Sequence, residues 1–117
     1  MDLGLCPAVV TPWLVRKIGP GRARQVLLSG GLMSGARAHE LGIVTGVVDS
    51  RDELDGAVQK LTETLATGGR EALGATKKLL NTLDGSNELD ILLEAARLSA
   101  SVLATEDAQN RLKARRK

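Results

Sequence analysis

Fourteen carboxylates, one histidine and one cysteine are the acid–base, metal-ligating and thiol groups of this 117-residue chain. Their spacing narrows what they can do. His39 sits in "RAHELG", on a predicted short helix, with no serine or cysteine nucleophile at motif spacing. One histidine and one distant cysteine do not make a zinc site, which takes three or four ligands. Cys6 stands beside Pro7 with no basic neighbour in sequence to make it a reactive thiolate, so it reads as a small apolar packing residue. The acids Asp52, Glu53, Glu63, Glu71, Glu88, Glu94 and Glu106 fall at predicted helix starts and on solvated faces. What remains is a basic tail. Arg111, Lys113, Arg115, Arg116 and Lys117 are five of the last seven residues, and without them the body carries 11 basic against 14 acidic residues. Such a tail suits the phosphates of nucleic acid, lipid or a nucleotide-bearing cofactor. It equally suits the negative end of a helix dipole.

The elements that position these groups are mostly helical. Thr11-Pro12 reads as a helix start, a hydroxyl cap before a proline at the first helical position. That helix carries Trp13, Leu14, Val15 and Ile18 and stops at Gly19. A second starts at Pro20, holds Ala23, Val26 and Leu27 on one face, and ends at Ser29-Gly30-Gly31. Ser34 caps a short helix over Ala36 to Leu41, closed by Gly42. The β-branched "IVTGVV" places a strand around Val47-Val48. Beyond Asp49 the pattern is helical throughout. Leu54, Val58, Leu61 and Leu65 share a face up to a break at Gly68-Gly69. A helix from Glu71 to Leu83 turns Ala72, Leu73, Ala75, Leu79 and Leu80 inward. Ser86 or Asn87 caps a long helix with two adjacent apolar stripes: Leu89, Leu92, Ala96 and Leu103 beside Ile91, Ala95, Leu98 and Val102. Two stripes imply burial on more than one side, against another domain or subunit. Thr105 with Glu106-Asp107 caps the last, basic helix.

Length and composition set the limits. A chain of 117 residues is one domain or a piece of one. With one Trp and no Phe or Tyr, Leu, Val, Ile and Ala must fill any core. A lone Cys6 excludes an internal disulfide and points to a reducing, cytoplasmic setting. No apolar run of about 18 residues spans a membrane, and no leader precedes Cys6. A single Trp leaves no stacking platform for nucleic acid.

Four stretches, "GLCPAVVTPWLVRKIGPGRARQVLLSG", "AHELGIVTGVV", "ALGATKKLL" and "ATEDAQNRL", occur in the order and spacing of one known family. The chain resembles the C-terminal part of the crotonase family, the enoyl-CoA hydratases and isomerases, with the methylglutaconyl-CoA hydratase branch nearest. The resemblance runs from Leu3 to Leu112. It implies a mainly α fold: the C-terminal helical portion of the α/β crotonase spiral, with at most one or two short strands. Residues 1–50 would end the spiral core, including the strand near 47–48, and residues 51–117 would form a helical association domain.

The resemblance also assigns roles. Leu5, Cys6, Pro7 and Ala8 fall in the loop beneath the reacting end of the acyl chain. Arg115, Arg116 and Lys117 fall where the family carries an aromatic residue and a Lys-Arg pair near the coenzyme A phosphates; here Arg115 replaces the aromatic. Gly31 departs too, since the family often has Glu there. The family's catalytic Glu stands four residues before the position of Gly4, one place ahead of Met1. Its second Glu and its oxyanion-hole N–H groups lie further upstream. Asp2 is the nearest carboxylate and the sole stand-in. Coenzyme A is expected as part of the substrate, with no covalently bound cofactor and no metal. The expected partners are an acyl-CoA in the full-length form and further copies of the chain, as trimer or hexamer, with no nucleic acid or membrane. By itself the chain is expected to be catalytically inactive. The alternative function is a non-catalytic helical oligomerisation module.

Overall fold

Turn chemistry decides where each helix starts and stops. A computed structural model of the chain describes residues 4–115. Among them are six helices: α1 (Thr11–Ser29), α2 (Gly35–Glu40), α3 (Arg51–Ala66), α4 (Arg70–Leu83), α5 (Leu89–Leu103) and α6 (Glu106–Arg115). The described residues contain no strand. Val47 and Val48 lie in irregular, exposed chain. This corrects the strand expected near 47–48. Their β-branched side chains favour a ladder, but a strand forms only with a partner strand to accept its hydrogen bonds.

The chain divides into two compact units. The described part of the first comprises residues 4–44 and 88–115. Here α1 breaks at Gly19, whose φ of 78° and ψ of 160° leave the helical region. Glycine takes that conformation without a Cβ clash, and Pro20 resumes the helix where its missing N–H matters least. Thr11 does not cap α1 as its sequence suggests. Val10 holds the cap position. The Thr11 hydroxyl instead donates back to the Pro7 carbonyl at 2.8 Å, alongside the Thr11 N–H at 3.1 Å. Ser34 caps α2 as expected, accepting from the Arg37 N–H at 3.2 Å. Gly42, at φ 80°, closes that turn.

Helix α5 begins without a side-chain cap. Glu88 occupies the cap position, and the Ser86 N–H turns back to Asp84 Oδ1 at 2.8 Å. The cap expected from Ser86 or Asn87 is therefore not made. Between α5 and α6 the Thr105 hydroxyl donates to the Val102 carbonyl at 2.7 Å and accepts from the Ala108 N–H at 3.4 Å. The Gln109 side chain donates to the Leu103 carbonyl at 2.8 Å. The two helices pack on each other through this tight corner.

The second unit, residues 45–87, holds α3 and α4. Ser50 caps α3 through the Glu53 N–H at 3.2 Å, and the Glu53 carboxylate accepts from the Asp49 N–H at 3.1 Å. The apolar stripes expected from the sequence are present, but they are not covered. Every residue of α3 is exposed. So are Ala72, Leu73, Ala75, Leu79 and Leu80, the residues expected to face inward from α4.

Core burial is correspondingly thin. Among the described residues the buried apolar ones are Ala8, Ala23 and Ala108, and no large side chain is fully buried. The chain exposes 9323 Å². Even two separately compact bodies sharing its 12.3 kDa would expose only about 7300 Å². The excess is roughly 2000 Å², and the uncovered stripes of α3 and α4 contribute to it.

Candidate functional site

The segment 4–8 lies where the helices of the first unit meet. It runs in irregular chain just ahead of α1. Leu5, Cys6 and Pro7 are half-buried and Ala8 is buried at 6% exposure. Three contacts hold the segment. At its downstream end the Pro7 carbonyl accepts both donors of Thr11. In its middle, the Cys6 carbonyl accepts the Ser99 hydroxyl of α5 at 3.1 Å, across 93 residues of sequence. Upstream, Gly4 at φ 64° presses on α6. A Cβ there would come within 2.8 Å of Arg111 Cδ, 3.1 Å of Asp107 Oδ2 and 3.2 Å of Ala108 Cα.

Arg111 and Asp107 are themselves tied. The Arg111 Nε–H lies 2.9 and 3.0 Å from the two Asp107 oxygens. Asp107 is the carboxylate seen against the segment, and this ion pair occupies it.

The remaining residues singled out from sequence lie elsewhere. Arg115 ends α6, exposed, four residues beyond Arg111. Arg116, Lys117 and Asp2 lie outside the described residues. His39 is exposed, with its Nδ1 3.3 Å from the Val44 carbonyl, a contact local to the α2 turn. Arg16 stacks over Trp13 with its guanidinium carbon 4.9 Å from the ring centre. Among the described residues no three His, Cys, Asp or Glu side chains gather as metal ligands. No described helix is long and apolar enough to cross a membrane.

Ser99 is the contributor that sequence reading missed. It falls on α5 between the two apolar stripes, and nothing in its own neighbourhood marks a partner so distant in sequence. Asp107 and Arg111 carried a weak signal, since residues four apart on a helix face each other.

The profile of the enoyl-CoA hydratase/isomerase family matches residues 1–117. A Thermus thermophilus protein named "Putative enoyl-CoA hydratase" is 32% identical over 114 residues, covering 97% of this chain and 45% of the relative. An Alternaria alternata enoyl-CoA hydratase is 25% identical over 109 residues, covering 93% of this chain and 37% of the relative. A crystal structure of a Bacillus halodurans enoyl-CoA hydratase superposes with a TM-score of 0.83 at 24% identity, over 97% of this chain and 45% of that one. That likeness shows the fold. The chain thus spans less than half the length of each relative.

Proposed function

This chain belongs to the enoyl-CoA hydratase/isomerase family, and from that premise we propose that it is the C-terminal helical part of a protein acting on acyl-CoA thioesters. In the full-length form the reaction is addition of water to an enoyl-CoA. One observation carries this reading: the family profile matches the entire chain, yet the chain covers 45% of its Thermus relative.

Hydration of an enoyl thioester needs a carboxylate to activate water and deliver a proton at the α-carbon. It also needs preorganised donors for the thioester enolate oxygen. On this reading, which follows the family resemblance, both come from protein upstream of the segment at 4–8. The chain contributes the supporting parts. Leu5, Cys6, Pro7 and Ala8 form an apolar bed for the acyl group, and Arg115, Arg116 and Lys117 supply positive charge for coenzyme A phosphates. Residues 1–50 close the spiral core and residues 51–117 form the association domain. The setting is cytoplasmic and the partners are further copies of the same protein, as trimer or hexamer.

A second reading is a non-catalytic helical oligomerisation module. The exposed stripes of α3 and α4 favour it. Grafting these residues into a complete relative and assaying crotonyl-CoA hydration separates the two.

A further inference from the structure

We propose that Ser99 is a positioning residue: with the Asp107–Arg111 pair it clasps segment 4–8 and fixes the height of the acyl bed from the last two helices. The contacts are a property of the chain itself; their bearing on acyl-CoA rests on the function proposed above.

Two serines two positions apart on α5 show why Ser99 is distinctive. Inside a helix a serine hydroxyl ordinarily bonds back to a carbonyl three or four residues earlier. Ser101 does so, donating to the Leu98 carbonyl at 2.9 Å. Ser99 reaches instead to the Cys6 carbonyl at 3.1 Å, from a half-buried position. That carbonyl lies in irregular chain, where no ladder or helix satisfies it, so the hydroxyl supplies a partner that the backbone lacks.

The α6 side is shaped to match. Asp107, Ala108 and Arg111 occupy one face of the helix, and a Cβ at Gly4 would stand a tight 3.2 Å from the Ala108 Cα. The Arg111 side chain that lies against Gly4 is tied to Asp107 at 2.9 Å on the same face. Ala108 is wholly buried and Ala8 nearly so. Small residues at both positions let backbones approach closely. The segment is thus held at Cys6 by α5 and at Gly4 by α6, two contacts separated from it by more than ninety residues of chain. A movement of the α5–α6 corner displaces Cys6 and Pro7 with it.

The sole cysteine makes the test selective. Carbonyl-labelled cysteine gives one backbone ¹³C resonance in the full chain, that of the acceptor itself. Ser99→Ala should move this resonance in the direction of a lost hydrogen bond. It should also speed exchange of the Thr11 amide, which bonds to Pro7, by about fivefold, the effect of losing one ordinary hydrogen bond. Ser99→Thr, which keeps the hydroxyl, should restore both. Ser101→Ala should change neither. An unmoved Cys6 carbonyl in Ser99→Ala overturns the proposal, as does an equal shift in Ser101→Ala. Neither outcome depends on what the substrate is, so failure here is distinct from failure of the hydratase reading.

Discussion

The Cα of Ala108 lies 3.2 Å from the point where a Cβ on Gly4 would stand, and Gly4 holds φ at 64°. The positive φ favours glycine, and the tight approach adds to that preference. Gly4→Ala would strain the backbone and push the segment away from α6, at a cost of about 1–3 kcal/mol. Gly21, in the resumed half of α1, has open space and no positive φ. Gly21→Ala should stabilise by about 0.5–1 kcal/mol, through helix propensity alone. Urea midpoints followed by far-ultraviolet circular dichroism measure both, and a neutral Gly4→Ala would contradict the close approach.

Caps give a second contrast. Ser50→Ala removes the acceptor for the Glu53 N–H and loosens the reciprocal bond that the Asp49 N–H donates to the Glu53 carboxylate. The loss should be about 1 kcal/mol. Ser86→Ala, whose hydroxyl caps nothing on α5, should fall within about 0.5 kcal/mol of the parent. Equal losses at both serines would show that α5 is capped after all.

Much of this architecture is readable from punctuation. Gly19-Pro20, Ser34, Gly42 and Gly68-Gly69 each break or start a helix where the sequence says, because their constraints are local: a missing Cβ, a missing N–H, or a hydroxyl in reach of the next turn. The failures are equally physical. Val47-Val48 has strand propensity but no ladder partner among the described residues. Thr11 has two ways to spend its hydroxyl, and the Pro7 carbonyl outcompetes the cap. The bed at 5–8 is legible only through family resemblance, since nothing in "LCPA" alone suggests chemistry. Of what holds it, the four-residue spacing of Asp107 and Arg111 left a weak signal and the rest left none. A bond from Ser99 to Cys6 leaves no periodicity to find.

Uncovered apolar stripes carry a consequence for the isolated chain. Leu93 and Leu98 on α5 are 46% and 51% exposed, and Leu61, Leu79 and Leu80 on α3 and α4 are exposed further. Apolar patches of this extent drive association in water. Sedimentation should show species heavier than the 12.3 kDa chain, and a Leu93→Asp, Leu98→Asp double variant should shift them toward monomer. A clean monomer at high concentration would refute this.

The basic tail makes a weaker, salt-sensitive prediction. Two or three phosphate contacts without an enclosing pocket support about millimolar affinity for coenzyme A, near 4 kcal/mol. Binding should fade as salt rises, since the Debye length shrinks from about 10 Å at 0.1 M to about 3 Å at 1 M. It should also fall when Arg115, Arg116 and Lys117 become Gln. Titration by nuclear magnetic resonance against a matched polyphosphate reads selectivity. Identical shifts for both ligands would leave the tail as an ordinary cationic helix end.

Membership in the hydratase family gives the central claim its sharpest test in a chimera. These 117 residues replace the matching 45% of the Thermus thermophilus relative, and loss of the enoyl thioester absorbance of crotonyl-CoA is followed. The chimera should hydrate crotonyl-CoA well above background, because the graft supplies the bed and the clasp while the host supplies carboxylate and oxyanion donors. The chain alone should stay at background. A folded chimera without turnover, or a lone chain within about tenfold of an intact hydratase, would contradict the claim.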